Sequence, residues 1–194
     1  MAASARLATL KGSLYAKRDA AARRGTEVHN LAEQLVHGQE VDVPPELAGH
    51  VESYVRFLDD YAVEPILVER TVVNYTVGYA GTLDLVANLA GIGVALCDVK
   101  TNRSGVYGET GMQLAAYRYA EVYLDDDGTE VPMPEVDDPC YVIHVRADDY
   151  DLVPVRADDY VFNRFRHVGV IARASAESKE WVGAPLTRPE SEAS

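Results

Sequence analysis

Between Ile66 and Val99 the hydrophobic pattern of this sequence has the period of strands, not helices. Ile66 to Val77, Tyr79 to Leu89 and Val94 to Val99 are runs rich in β-branched and aliphatic residues, punctuated by Gly78 and by Gly91-Ile92-Gly93. Runs of that length with glycine between them predict an antiparallel three-stranded meander. On either side the period is helical. Upstream, about Arg6 to Gly38 reads as helix with a break near Gly25-Thr26, where Thr26 is placed to cap a continuation carrying Val28, Leu31, Ala32 and Leu35. A second helix is expected from about Pro45 to Ala62, with Leu47, Val51, Tyr54, Val55 and Leu58 on one side.

Downstream, a helix is expected from about Gly108 to Tyr123, then an acidic, proline-containing loop through Pro139. Strands follow at Tyr141 to Arg146 and Leu152 to Val155 with a turn at Asp148 to Asp151, then a helix from about Asp158 to Glu180. Strands flanked by helices in this order predict an α/β (α+β) protein with a central mixed sheet and helices packed on it. The 194 residues fit one domain over 1–182, with a helical N-terminal part at 5–62, a core at 64–182 and a disordered tail at 183–194.

Two of the predicted strands carry charge where apolar residues are expected. The run Val94-Ala95-Leu96-Cys97 ends in Asp98-Val99-Lys100, and alternation puts Asp98 and Lys100 on one face. The strand before it holds Asp84 among apolar neighbours, and pairing across the glycine turn brings Asp84 beside Asp98. Two carboxylates at close range repel unless a cation lies between them. Oxygen ligands point to Mg²⁺ or Mn²⁺, not zinc. Beside such a cation, Lys100 could hold or deprotonate a water and neutralise charge on a phosphate. An isolated D-x-K is more simply an ion pair at a strand end, so its neighbours decide the reading. Gln113 and Tyr117, four apart, share one face of the next helix, and His29 lies on a helix upstream in Gly25-Thr26-Glu27-Val28-His29.

The series G-T-x-x-H, G-T-x-D, D-x-K-T and Q-x-x-x-Y, in that order over about Arg24 to Tyr123, resembles the RecB-type branch of the PD-(D/E)XK nucleases. That branch includes the CRISPR-associated RecB-like exonucleases and their phage relatives. The resemblance implies a restriction-endonuclease-like core and a metal-dependent DNA nuclease working in recombination, repair or phage replication. It favours exonuclease action on single-stranded or duplex DNA ends, with a recombination or replication partner protein as a further expectation. It implies that Asp84, Asp98, His29 and the backbone carbonyl of Val99 ligate Mg²⁺ or Mn²⁺. Lys100 would activate water or stabilise the transition state, and Gln113 and Tyr117 would orient it. Glu69 would assist a second metal, and Thr101 and Arg103 would contact phosphate. Leu83 replaces the proline of the family motif, and the two cysteines, Cys97 and Cys140, cannot supply the four ligands of the iron–sulfur cluster that some members carry. The alternative is a DNA-processing scaffold or partner-binding module that kept the fold and lost catalysis.

Charge constrains how such a protein would meet DNA. The net charge of −13 repels a polyanion and excludes a generic basic DNA coater. Between Arg6 and Arg24 lie six basic residues with Asp19 as the only acid, a candidate local phosphate-binding face or simply a solvated helix face. No apolar run reaches the ~20 residues of a membrane-spanning helix, and the N-terminus lacks a signal-peptide core. A cytoplasmic protein is expected.

Overall fold

The computed structural model describes residues 25–102 and 104–186. Within them the chain is an α/β protein built on a seven-stranded mixed sheet of order β5-β4-β1-β2-β3-β6-β7. Helix α1 occupies 25–36 and α2 spans Ala48–Asp60. The expected meander follows as β1 (Glu64–Asn74), β2 (Tyr79–Leu89) and β3 (Gly93–Lys100). Its turns have positive φ at Gly78, Gly91 and Gly93, where a side chain would be strained.

After β3 the chain crosses over through α3 (Thr110–Arg118) and two short strands, β4 (Val122–Leu124) and β5 (Glu130–Pro132). It then returns as β6 (Cys140–Val145), parallel to β3, and turns back as β7 (Tyr150–Val155). Helix α4 (Asp159–Glu177) is capped by the Asp158 carboxylate, which accepts from the Val161 amide, and passes into a 3₁₀ turn at Ser178–Trp181.

Apolar residues of the central strands point alternately to two cores. On one face Leu83, Val86, Leu96 and Val142 pack with Leu114 and Ala115 of α3 and with Phe162 of α4. On the other, Leu85, Ala87, Cys97, Val99 and Ile143 pack beneath Ala32 of α1 and beneath Tyr54 and Phe57 of α2. Cys97 and Cys140 are buried core residues, one in each cluster. No helix among the described residues is long and apolar enough to cross a membrane.

Several expectations need correction. The helix expected to Tyr123 stops at Arg118, because the Glu121 amide donates to the Val73 carbonyl and draws the chain into the sheet as β4. The segment expected as loop to Pro139 therefore contains β4 and β5, and Asp138-Pro139 is a cis peptide. Gly25 and Thr26 already lie within α1, so Thr26 is not a cap preceding it. In α2 the most buried apolar residue is Phe57, fully enclosed, which the expected apolar stripe omits. The basic segment from Arg6 to Arg24, Arg103 and the tail beyond 186 lie outside the described residues.

Candidate metal centre

The central sheet brings three carboxylates into one row. In β1 and β2, Val68 pairs with Leu85 and Arg70 with Leu83, so Glu69 and Asp84 face each other between them. In β2 and β3 the recorded pairing stops at Leu85 and Cys97, and the next step of that register sets Asp84 against Asp98. Beyond it the ladder opens. The Val99 amide donates to Asp84 Oδ2 at 2.7 Å, so a side chain stands where a backbone carbonyl would continue the sheet.

Glu69 reaches this row through a local distortion. Its φ is +47°, a left-handed conformation inside a strand that costs a non-glycine residue about 1–3 kcal/mol. The β1–β2 register is unbroken on either side of it, and the one register shift of this pair lies upstream, between Pro65 and Leu67.

His29 approaches from α1. Its Nε2 lies 2.9 Å from the Val99 carbonyl oxygen, which can only accept, so Nε2 carries the proton. That leaves Nδ1 facing Glu69 Oε1 and Asp84 Oδ2, each at 3.5 Å. One atom from each of His29, Glu69 and Asp84 lies within 4.8 Å of the other two. An imidazole lone pair and two carboxylates are all acceptors, and only a proton or a cation satisfies them together.

A second group adjoins the first. Asp98 is buried, with 1% of its side chain exposed, and its Oδ2 lies 2.5 Å from Lys100 Nζ. The angles of that ion pair fall outside hydrogen-bond geometry, so this buried oxygen has no aligned donor. Asp98 Oδ1 accepts from Gln113 Nε2 at 3.0 Å, and the same amide nitrogen contacts the Tyr117 hydroxyl at 3.1 Å. Gln113 Oε1 accepts from Lys100 Nζ at 3.4 Å. The Gln113 amide thus offers its donor side to the carboxylate and its acceptor side to the ammonium, and holds the two in register.

Gly81, in the G-T-x-D motif, lets the Cε1 edge of the Tyr117 ring come close against β2. A Cβ there would sit 2.9 Å from Tyr117 Cε1.

Burial and repulsion set the electrostatics. Burial, then the neighbouring Asp98 charge, pushes Asp84 up to about 7. Asp98 is also raised, by burial first, against the opposing pull of Lys100. Burial works to lower the His29 pKa, but the Glu69 hydrogen bond and the Asp84 and Glu69 charges outweigh it, and the net shift is upward. In the metal-free protein Asp84 therefore exchanges its proton near neutrality, at the position a cation would fill.

Among the residues singled out in the sequence, His29, Glu69 and Asp84 converge, and Asp98, Lys100, Gln113 and Tyr117 form the adjoining network. The donor set nearest one point is therefore one nitrogen and two oxygens, not oxygen alone, with Glu69 in the converging triad and Asp98 beside it. The Val99 carbonyl is engaged by His29. Thr101 lies near Gly25 of α1 and lines a separate cavity with His50 and Arg146. A cavity of about 230 Å³ opens beside Lys100 and Gln113, walled by Asn102, Tyr107, Glu109 and Thr110. Its walls come from the loop after β3, where the sequence carries no motif. No family model matches the chain, and no curated protein matches it.

Proposed function

We propose that this protein is a divalent-metal-dependent nuclease of the PD-(D/E)XK type, acting on DNA ends as an exonuclease, with the sheet as its restriction-endonuclease-like core. One observation carries the reading. Glu69, Asp84 and Asp98 stand in a row across three strands, with an imidazole at one end and a lysine held by a glutamine at the other. Carboxylates whose pKa values are raised by burial first and neighbouring charge second are expected where a cation belongs.

His29, Glu69 and Asp84 would hold the cation, joined by Asp98. The Val99 carbonyl could join them only if its hydrogen bond from His29 opened. A bound divalent ion supplies Lewis acidity, which lowers the pKa of water and draws charge from a phosphodiester. A set of one nitrogen and several oxygens suits Mn²⁺ at least as well as Mg²⁺.

The chain's own residues do the rest. Lys100 Nζ, partly exposed and held between Asp98 and Gln113, presents its remaining N–H bonds to a phosphoryl oxygen and neutralises charge that grows as water adds to phosphorus. Gln113 and Tyr117 hold that ammonium in place. The cavity beside Lys100 and Gln113 gives the substrate its approach.

The test is direct. Purified protein is incubated with end-labelled single- and double-stranded linear DNA and with a covalently closed circle, in Mg²⁺, Mn²⁺ or EDTA, with Lys100→Ala as control. Release of nucleotides from linear DNA with the circle intact, lost in EDTA and in the variant, supports the exonuclease. Cutting of the circle makes it an endonuclease. No degradation in either metal refutes the enzyme and leaves the scaffold reading.

A further inference from the structure

An acidic protein that acts on DNA needs a place where the backbone can rest, and α4 offers one away from the candidate centre. From Tyr160 to Ala176 this helix contains Arg164, Arg166, His167 and Arg173 and no acid, in a chain whose net charge is −13. Asn163, Arg166, His167, Val170 and Arg173 recur at three- and four-residue spacing and so form one stripe. The stripe faces the tip of the β1–β2 hairpin, and together with Thr76 and Val77 it lines a cavity of about 240 Å³. The neighbouring face of α4 is tied down by Phe162 and Phe165, which pack on Tyr79 and Tyr119. The basic stripe is thus held in a fixed position.

The cations on this stripe are uncommitted. Among the described residues neither Arg166 nor Arg173 has a carboxylate partner, whereas Arg70, Arg118, Arg146 and Arg156 are all paired. Arg173 lies back along its own helix beside Gly169. The His167 Nδ1–H donates to the Asn163 carbonyl, which turns Nε2 outward. Glu121, the carboxylate that holds the hairpin tip, is occupied by the Tyr75 and Thr76 amides.

We propose that the groove between α4 and the β1–β2 tip is a second nucleic-acid site, at which Arg166 and Arg173 bind backbone phosphates remote from the bond being cut. This inference rests on the nuclease reading for its ligand. From Asp84 along β2 and into its turn at Val77 is seven residues, at most ~23 Å, the length of about seven base pairs at 3.4 Å each. A substrate longer than that can touch both places at once, and a shorter one leaves fewer phosphates for the groove.

The experiment compares Arg166→Gln/Arg173→Gln with the unsubstituted pair, both in the Lys100→Ala background with Mn²⁺, so that DNA binds without being cut. Both arginines are exposed, and an unchanged melting temperature checks the fold. Affinity for a long duplex, a long single strand and a duplex below that length is followed across salt. The substitutions should weaken long-substrate binding at least tenfold at low salt. They should flatten the slope of log K against log[salt] by about 1.8 for duplex and about 1.4 for single strands, and affect the short duplex less. Equal affinity and slope for the long substrates, or equal loss on the short one, overturns the site and makes the stripe a solvated helix face. Salt-dependent binding that needs these arginines, with no cleavage by the Lys100-containing protein, would refute the nuclease and keep the site. Cleavage that depends on Lys100, with binding indifferent to the arginines, does the reverse.

Discussion

Replacing Asp84 by asparagine should stabilise the metal-free protein above neutrality while abolishing its response to metal. Burial and the Asp98 charge raise Asp84 from 3.8 to about 7, and its side chain is only 11% exposed. A displacement of that size corresponds to about 4 kcal/mol. The sign follows from proton counts. Below pH 4 the folded and unfolded chains both hold this proton. Between about 4 and 7 the unfolded chain has released it and the folded chain has not, so the folded state binds more protons and stability falls as pH rises. Above 7 the loss is complete. His29, also raised, acts in the same direction, since its contribution is present at low pH and lost as pH rises through its folded-state value. The net charge of −13 adds a general decline, so the wild-type slope alone cannot report on this site.

The variant isolates it. Asparagine keeps an acceptor for the Val99 amide and cannot ionise. In EDTA at pH 8 Asp84→Asn should melt above wild type by up to about 8–16 °C, at about 2–4 °C per kcal/mol for a chain of this size, and at pH 4 the two should converge. Mn²⁺ at a hundred times its dissociation constant adds about 2.7 kcal/mol to the wild type. That gain should be larger at pH 8 than at pH 5, where protons compete, and absent in Asp84→Asn. Differential scanning calorimetry at matched ionic strength makes the comparison. An Asp84→Asn protein no more stable than wild type in EDTA at pH 8, or one still stabilised by Mn²⁺, would refute the argument.

Other parts of the site and core can be tested more briefly. Glu69→Gly should relieve the +47° backbone and raise metal-free stability by about 1 kcal/mol, whereas Glu69→Gln should keep the strain; both should lose the Mn²⁺-dependent rise in melting temperature. Gly81→Ala places a methyl 2.9 Å from the Tyr117 ring and should displace its hydroxyl from Gln113, lowering kcat about tenfold with little change in KM. Phe57→Ala should cost about 3–5 kcal/mol by emptying the core under α2 without changing metal affinity, measured by urea unfolding and by Mn²⁺ titration.

The parts of this fold that were legible in the sequence are those with a repeated pattern. The meander was written in β-branched runs and in Gly78, Gly91 and Gly93, whose positive φ explains why glycine stands there. The spacing of four puts Gln113 and Tyr117 on one helix face, where the Gln113 amide donates to the Tyr117 hydroxyl. Strands β4 and β5, three residues each, are too short to show a period, and Val122 and Tyr123 continued an apparent helix until a hydrogen bond to Val73 claimed that stretch for the sheet. Glu69 was the least legible site residue, since its neighbours Val68 and Arg70 give no sign of a left-handed backbone. The basic stripe of α4 leaves no mark in the apolar periodicity, because it consists of Asn163, Arg166, His167 and Arg173.

The candidate centre gathers several unfavourable terms in one place. A strand ladder ends early so that Asp84 can take the Val99 amide, Glu69 holds a left-handed backbone, and Asp98 is buried with an oxygen that no donor meets in line. A purely structural ion-pair network also raises and lowers pKa values, but it has no need of these distortions. Lys100 and Asp98 could pair at an ordinary strand end without Glu69 bent toward Asp84, and His29 could cap the Val99 carbonyl without two carboxylates at its other nitrogen. A single cation between His29, Glu69 and Asp84 would offset the repulsion and the bent strand together, because it would meet the imidazole lone pair and both carboxylates at once. Local rules broken jointly around one point, in a fold that obeys them elsewhere, are what a site built for a ligand requires.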